Sequence, residues 1–248
     1  MKTLVCIDDT DNLESRGTGK LAQLMIEHIE KEKLGNCSYI SRHQLYVHPD
    51  IPYTSHNSSM CFMVENTKDL ADYLISYGSD FLVKESAEGS DPGLCVVSLE
   101  KLKDYDAIIA YGQRAKKEVL TKKLAYETAK RLGIHLSEHG GTGQGVVGAL
   151  AGVGLRLSGN DGRIKGKIHF ETENGFLTAK EIKKRSNIEV IQSLDYEDID
   201  DNELIKLGEK VKAVLLYNKQ VLLVYKKYDE EIQKYVWHSC EKEHYKKY

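Results

Sequence analysis

Apolar residues run unbroken from Leu4 to Ile7, and the segment Lys2–Ile7 reads as a short buried strand. At Asp8 the pattern gives way to turn formers that continue to Gly19. Leu21, Leu24, Met25, Ile29 and Leu34 then recur at helical spacing and predict an amphipathic helix over Lys20–Lys33. A second strand is expected around Cys37–Val47, a loop between Pro49 and Pro52, and another strand over Met60–Glu65. Asn66–Ser76 follows as a helix with Thr67 as its expected N-cap. Turn residues crowd Glu88–Gly93 ahead of a strand over Leu94–Leu99, and a single helix is expected over Arg114–Leu132, closed by Gly133.

Beyond Gly162 the pattern changes. Ile164–Phe170 alternates as a strand does, Thr178–Lys184 reads as a helix and Ile188–Ile191 as a strand. Val211–Tyr217 and Gln220–Tyr225 read as a hairpin turning at Asn218-Lys219. The expected fold class is therefore α/β to α+β. A mixed-sheet domain over 1–163 precedes a smaller, ferredoxin-like or strand-rich portion over 164–248.

Composition narrows the class. Of 248 residues, 41% are hydrophobic, enough for ordinary cores, and 35 Lys and Arg against 38 Asp and Glu leave a net charge of −3. The whole-molecule field does not attract a polyanion, so any contact with nucleic acid must rest on a local patch. Five scattered cysteines without a Cys-x-x-Cys pair read as reduced structural thiols. His238, Cys240 and His244 crowd the tail, a grouping that falls short of a zinc motif. No signal-peptide pattern and no membrane-length apolar run is present, so a cytoplasmic location and no membrane contact are expected.

The candidate chemistry begins at the end of the first strand. Asp8, Asp9 and Asp11 place three carboxylates within four residues, an arrangement that is repulsive unless a proton or a cation compensates it. Mg²⁺ takes oxygen ligands and shares its shell with substrate phosphates, which suits carboxylates at a strand's C-terminal end. One carboxylate of the three is also a candidate to orient or deprotonate a nucleophile. The alternative is a turn that uses Asp only to bond its own backbone and cap the next helix. Thr10 and the segment Arg16-Gly17-Thr18-Gly19-Lys20 add a hydroxyl, permissive backbone and two cations at a helix N-terminus, a phosphate-binding composition without the Walker A spacing. A second glycine loop, Gly140-Gly141-Thr142-Gly143-Gln144-Gly145, opens onto the small-residue run Val146–Leu157. It is either a nest of amides for an anion or a surface loop before a tightly packed helix.

Four of these segments, in order, resemble one family, the TiaS-type agmatidine synthetases, which modify the wobble cytidine of an isoleucine tRNA. They are Ile7–Asp11, the stretch from Arg42 to Tyr53 with its Ile51-Pro52-Tyr53, the Asp91-Pro92-Gly93 turn, and Gly143–Gly154. The resemblance covers about the first two thirds of the chain. It implies a kinase-like domain that uses ATP and Mg²⁺ to activate a cytidine by phosphorylation, with agmatine then displacing the phosphate. By the same resemblance, Asp8, Asp9 and Asp11 are the catalytic and metal-holding residues. The resemblance also implies that Gly143–Gly148 cradles phosphates; taken with the reading of the two glycine segments, Thr10, Arg16, Gly17, Thr18, Gly19, Lys20, Gly141, Thr142, Gly143 and Gly145 are the expected nucleotide-binding set.

The chain departs from the family in three places. An Arg-Gly-Asn of the family is replaced by Ser55-His56-Asn57, and a Lys-Gly-Arg-Gly by Thr142–Gly145. The family's OB-fold and zinc ribbon are not matched, so a short form is expected, with tRNA or a nucleoside as substrate reached through a separate RNA-binding protein. Two functions follow: an ATP-dependent phosphotransferase or ligase, or a non-catalytic nucleotide-binding or regulatory module of the same fold. They differ in whether the acidic turn and the second glycine loop share one cleft.

Overall fold

A computed structural model describes residues 1–51 and 57–248. Pro52, Tyr53, Ser55 and His56, which figure in the family resemblance, lie outside the described residues. The chain forms two compact units, Met1–Ser158 and Gly159–Tyr248.

In the first unit the elements are β1 (Lys2–Asp8), α1 (Thr18–Lys31), β2 (Asn36–Cys37), β3 (Ser41–Gln44), β4 (Ser58–Glu65), α2 (Ala71–Glu85), β5 (Gly93–Ser98), α3 (Tyr105–Arg114), α4 (Lys122–Leu132), β6 (His135–Glu138) and α5 (Gly145–Ser158). The strands run in the order β6-β5-β1-β4-β3, with β2 also against β4, and β1 is central. The described pairings among these strands are antiparallel, and the parallel pairs that make the architecture mixed lie in the second unit.

Why β1 reads as continuously apolar is explained by its two faces. Leu4 and Cys6 pack into a core with α3, α4 and α5, whereas Val5 and Ile7 pack into a second core with α1 and α2. With helices on both sides there is no solvated face to demand polar alternation. Cys6 stands opposite both Cys61 and Cys95, so three reduced thiols form one row under α5. Burial pushes the Cys6 and Cys95 thiols up.

Several elements differ from the sequence expectation for identifiable reasons. The single helix expected over 114–132 is only the last residue of α3, a turn over 115–121 and then a second helix, α4. Asp104 caps the first by accepting the Ala107 amide at 3.0 Å, and Thr121 caps the second by accepting the Leu124 amide at 3.2 Å. Gly133, at φ +72°, closes the second as expected. The helix after β4 begins at Ala71 rather than Asn66, because the Asn66 side chain binds the Thr67 amide in a local turn.

The second unit contains β7 (Arg163–Ile164), β8 (Phe176–Thr178), α6 (Ala179–Arg185), β9 (Val190–Ser193), β10 (Leu204–Lys206), β11 (Ala213–Leu216), β12 (Lys219–Asp229), β13 (Lys234–Ser239) and α7 (Lys242–Tyr245). Its strands follow the order β7-β11-β12-β13-β10-β8, with β9 against β12. The parallel pairs are β9 with β12 and β10 with β13. The β11–β12 hairpin turns at Tyr217-Asn218, one residue before the expected pair, and both have positive φ as a type I′ turn requires. Among the described residues no helix is long and apolar enough to cross a membrane, and no group of three His, Cys, Asp or Glu, the tail included, is placed to hold a metal.

Candidate functional site

Strand alternation puts Asp8 on the same face as Leu4 and Cys6, the face covered by α5. The Asp8 carboxylate lies against Gly148 in the first turn of α5, so closely that a methyl group there would strike its Oδ2. The start of α5 is equally confined, since a side chain at Gly145 would meet the Asp8 carbonyl at 3.1 Å and the Gly93 nitrogen at 2.9 Å. The small residues that the sequence concentrates here therefore let a helix N-terminus close onto the acidic turn.

A cavity of about 660 Å³ opens above this junction. Asp8, Asp9 and Asp11 form one part of its wall, Gly17, Thr18 and Gly19 at the start of α1 another, and Thr142, Gln144, Gly145, Val147 and Gly148 a third. Leu45, Ile51, Met60, Val119 and Leu120 give it an apolar side. The acidic turn and the second glycine loop thus share one cleft, within the size range of small-molecule and cofactor pockets.

Two helix N-termini face this space. Gly17 precedes α1 and supplies no side-chain cap; the Lys20 amide bonds the Gly17 carbonyl at 2.7 Å, which leaves the Thr18 and Gly19 amides to partners outside the helix. Thr18 is buried at the start of that turn; its Oγ1 accepts from Thr10 Oγ1 at 3.1 Å and donates to Asp11 Oδ1 at 3.3 Å. Thr10 is fully buried and braces the turn from below.

Charge in the wall is unbalanced. Asp8, Asp9, Asp11, Asp50 and Glu118 face Arg42 and Lys122. Glu118 is paired with Arg114 at 2.9 Å, Arg42 Nε donates to Ser58 Oγ at 2.9 Å, and Lys122 pairs with Glu138 and donates to the Thr142 carbonyl at 2.9 Å. Burial, then the charge of Asp9, drives the Asp8 carboxyl well above the usual carboxylate range, although a backbone hydrogen bond at Asp9 opposes the shift. Asp9 is raised to about 6 by burial and by the charges of Asp91 and Asp11. A bound cation would reverse both shifts. No three protein groups among the described residues form a metal cage, so such an ion would take one or two carboxylates and complete its shell from phosphate and water, the coordination habit of Mg²⁺.

Other expected binding residues sit elsewhere. Arg16 pairs with Glu85 at 2.7 Å and Lys20 approaches Glu27 at 4.0 Å; neither forms the cavity wall. Gly141 and Gly143 also lie behind the wall, and the amides of Thr142 and Gly143, expected as an open anion nest, bond the Asp91 carboxylate. Glu138 is held by Lys122, and His139 Nε2 meets Ser137 Oγ at 2.8 Å on the way out along β6. Arg42 and Asp91 belong to segments that resemble the family, yet the sequence assigns them no role, and it does not single out Lys122 or Glu118 at all. Nothing local marks these four, since each arrives at or beside the site from a different element.

No protein-family model matches the chain. An isoleucine-tRNA 2-agmatinylcytidine synthetase, TiaS, from Archaeoglobus fulgidus is 32% identical over 165 residues, which cover 63% of this chain and 36% of the relative. Two solved structures, one described as a complex of TiaS with its isoleucine tRNA and ATP and one as a tRNA fluorescent labeling enzyme, each match with a TM-score of 0.54 and 30% identity, covering 62% of this chain and 36% of theirs. The chain is TiaS-like over this portion and spans just over a third of the length of the relatives it matches.

Proposed function

We propose that the first unit is an ATP site of the TiaS type, in which a Mg²⁺-bound nucleoside triphosphate activates a base of tRNA, or a nucleoside, by phosphorylation. The observation that carries this reading is the convergence of the acidic turn with two helix N-termini on one cavity. Five acids against two bases would repel a bare triphosphate, so a divalent cation must accompany it. The TiaS relative, crystallised with ATP and an isoleucine tRNA, supplies the substrate class.

The residues divide the work by chemistry. Asp8, Asp9 and Asp11 are the hard oxygen donors, one or two of which would hold the metal, which when bound neutralises charge developing on the transferred phosphoryl group. Thr18 Oγ1, which accepts from Thr10 and gives its proton to Asp11, braces the acidic turn, and the backbone amides at the start of α1 hold the phosphates. The first turn of α5 faces the phosphate chain from the other side with the positive end of its dipole. Leu45, Met60, Val119 and Leu120 offer an apolar wall to a flat ring and keep water away from it. Phosphoryl transfer asks a protein mainly for positioning and charge neutralisation, and these parts supply both.

The test is phosphate release from ATP in the presence of Mg²⁺, with and without bulk tRNA. Release stimulated by tRNA and lost in Asp8→Asn supports the proposal. Mg²⁺-dependent binding without any release, with or without tRNA, favours the non-catalytic nucleotide-binding module.

A further inference from the structure

The turn ahead of β5 and the glycine loop ahead of α5 lie side by side although about fifty residues of chain separate them. Backbone bonds join them at both ends: the His139 amide donates to the Pro92 carbonyl at 2.8 Å, and the Gly145 amide to the Asp91 carbonyl at 3.1 Å. Between these, the Asp91 side chain takes three more donors. Its Oδ1 accepts from the amides of Thr142 and Gly143, the latter at 3.2 Å, and its Oδ2 accepts from Thr142 Oγ1 at 2.8 Å.

The backbone is shaped for this arrangement. Gly141 and Gly143 have φ of +55° and +74°, flanking Thr142 so that successive amides converge on one point, the geometry by which main chain binds an anion. Any side chain at position 141 would lie 2.6 Å from the Ser90 carbonyl and strike Asp91 itself. The anion in this nest is therefore built into the protein. Asp91, Gly141 and Gly143 stand behind the cavity wall, while Thr142, Gln144 and Gly145 form it.

We infer that Asp91 is a positioning residue: its carboxylate fills the amide nest of the glycine loop from behind, and so fixes Thr142 and the N-terminus of α5 against the nucleotide. The inference rests on the ATP reading of the cavity. It assigns the glycine loop a different job from direct phosphate binding, because the amides that would serve that purpose are already satisfied. Lys122 adds a second hold on the same loop, pairing with Glu138 and donating to the Thr142 carbonyl at 2.9 Å.

The experiment compares Mg²⁺·ATP binding by calorimetry in the wild type, Asp91→Ala and Asp91→Asn, with amide hydrogen exchange at Thr142 and Gly143 in each. Asparagine retains an acceptor for both amides and can donate to the Thr142 hydroxyl, whereas alanine leaves three donors unmatched. Binding should weaken by about tenfold in Asp91→Ala and stay within about threefold of wild type in Asp91→Asn. In the wild type and Asp91→Asn the two amides should exchange at least about tenfold more slowly than in an unstructured chain. Equal affinity in wild type and alanine variant, loss in the asparagine variant as deep as in the alanine variant, or unprotected amides in the wild type would each overturn the inference. Should Asp91→Ala fail to fold, the asparagine variant and the exchange data still decide. Absence of ATP binding in the wild type would instead strike the parent reading, leaving amide exchange to judge the clamp.

Discussion

Asp9 combines a left-handed backbone, at φ +50°, with a carboxyl raised to about 6. Its pKa in the folded chain exceeds that of the unfolded chain, so its contribution to stability is complete below about pH 4 and is lost as pH rises through about 6. A cation competes with the proton for this group. The gain in melting temperature on adding Mg²⁺ should therefore grow between about pH 5 and pH 7, and a gain that is flat or falls across that range would contradict the assignment. Gly148 offers a second check. Alanine there drives a methyl into the Asp8 carboxylate, and overpacking of this kind costs about 1–3 kcal/mol, so Gly148→Ala should lower thermal stability and abolish Mg²⁺·ATP binding together. At this scale the acidic turn is legible in the sequence as three carboxylates at the end of an apolar strand, whereas the direction of Asp8 is not, because both faces of β1 are apolar. The Asp91 clamp is not legible, since a hydrogen bond between residues so far apart in the chain leaves no local pattern.

Among the elements, strands buried on both faces are readable as apolar runs, while partition of the helices depends on caps. The segment 114–132 keeps a helical composition throughout, yet α3 ends at its first residue and a new helix starts only at Lys122, where Thr121 satisfies the Leu124 amide. Short strands such as β6 and β10 carry too few residues to display a period. Caps also give a control that separates stability from binding. Thr178 forms a reciprocal capping box with Glu181 at the start of α6, in the second unit. Thr178→Ala should cost about 1 kcal/mol in chemical denaturation and leave Mg²⁺·ATP affinity unchanged. A change in affinity would mean that the second unit contributes to the site in a way its residues do not show.

For the molecule as a whole, the walls of the cavity come from residues between Asp8 and Gly148, all within the first unit. A fragment ending at Ser158 should consequently fold and bind Mg²⁺·ATP with the affinity of the full chain; failure to bind despite a native circular dichroism spectrum would refute this. The motifs that resemble the family, from Ile7–Asp11 to Gly143–Gly154, fall in the same unit. The second unit is legible only as strands and a helix, because its mixed pairing depends on contacts far apart in sequence. The most direct test of the central claim is calorimetric titration of ATP, with and without Mg²⁺, into the wild type, Asp8→Asn and Asp11→Asn. Binding that requires Mg²⁺ and is lost in both variants is the predicted result. Binding that is absent from the wild type, or that persists without the metal and without these carboxylates, would contradict it.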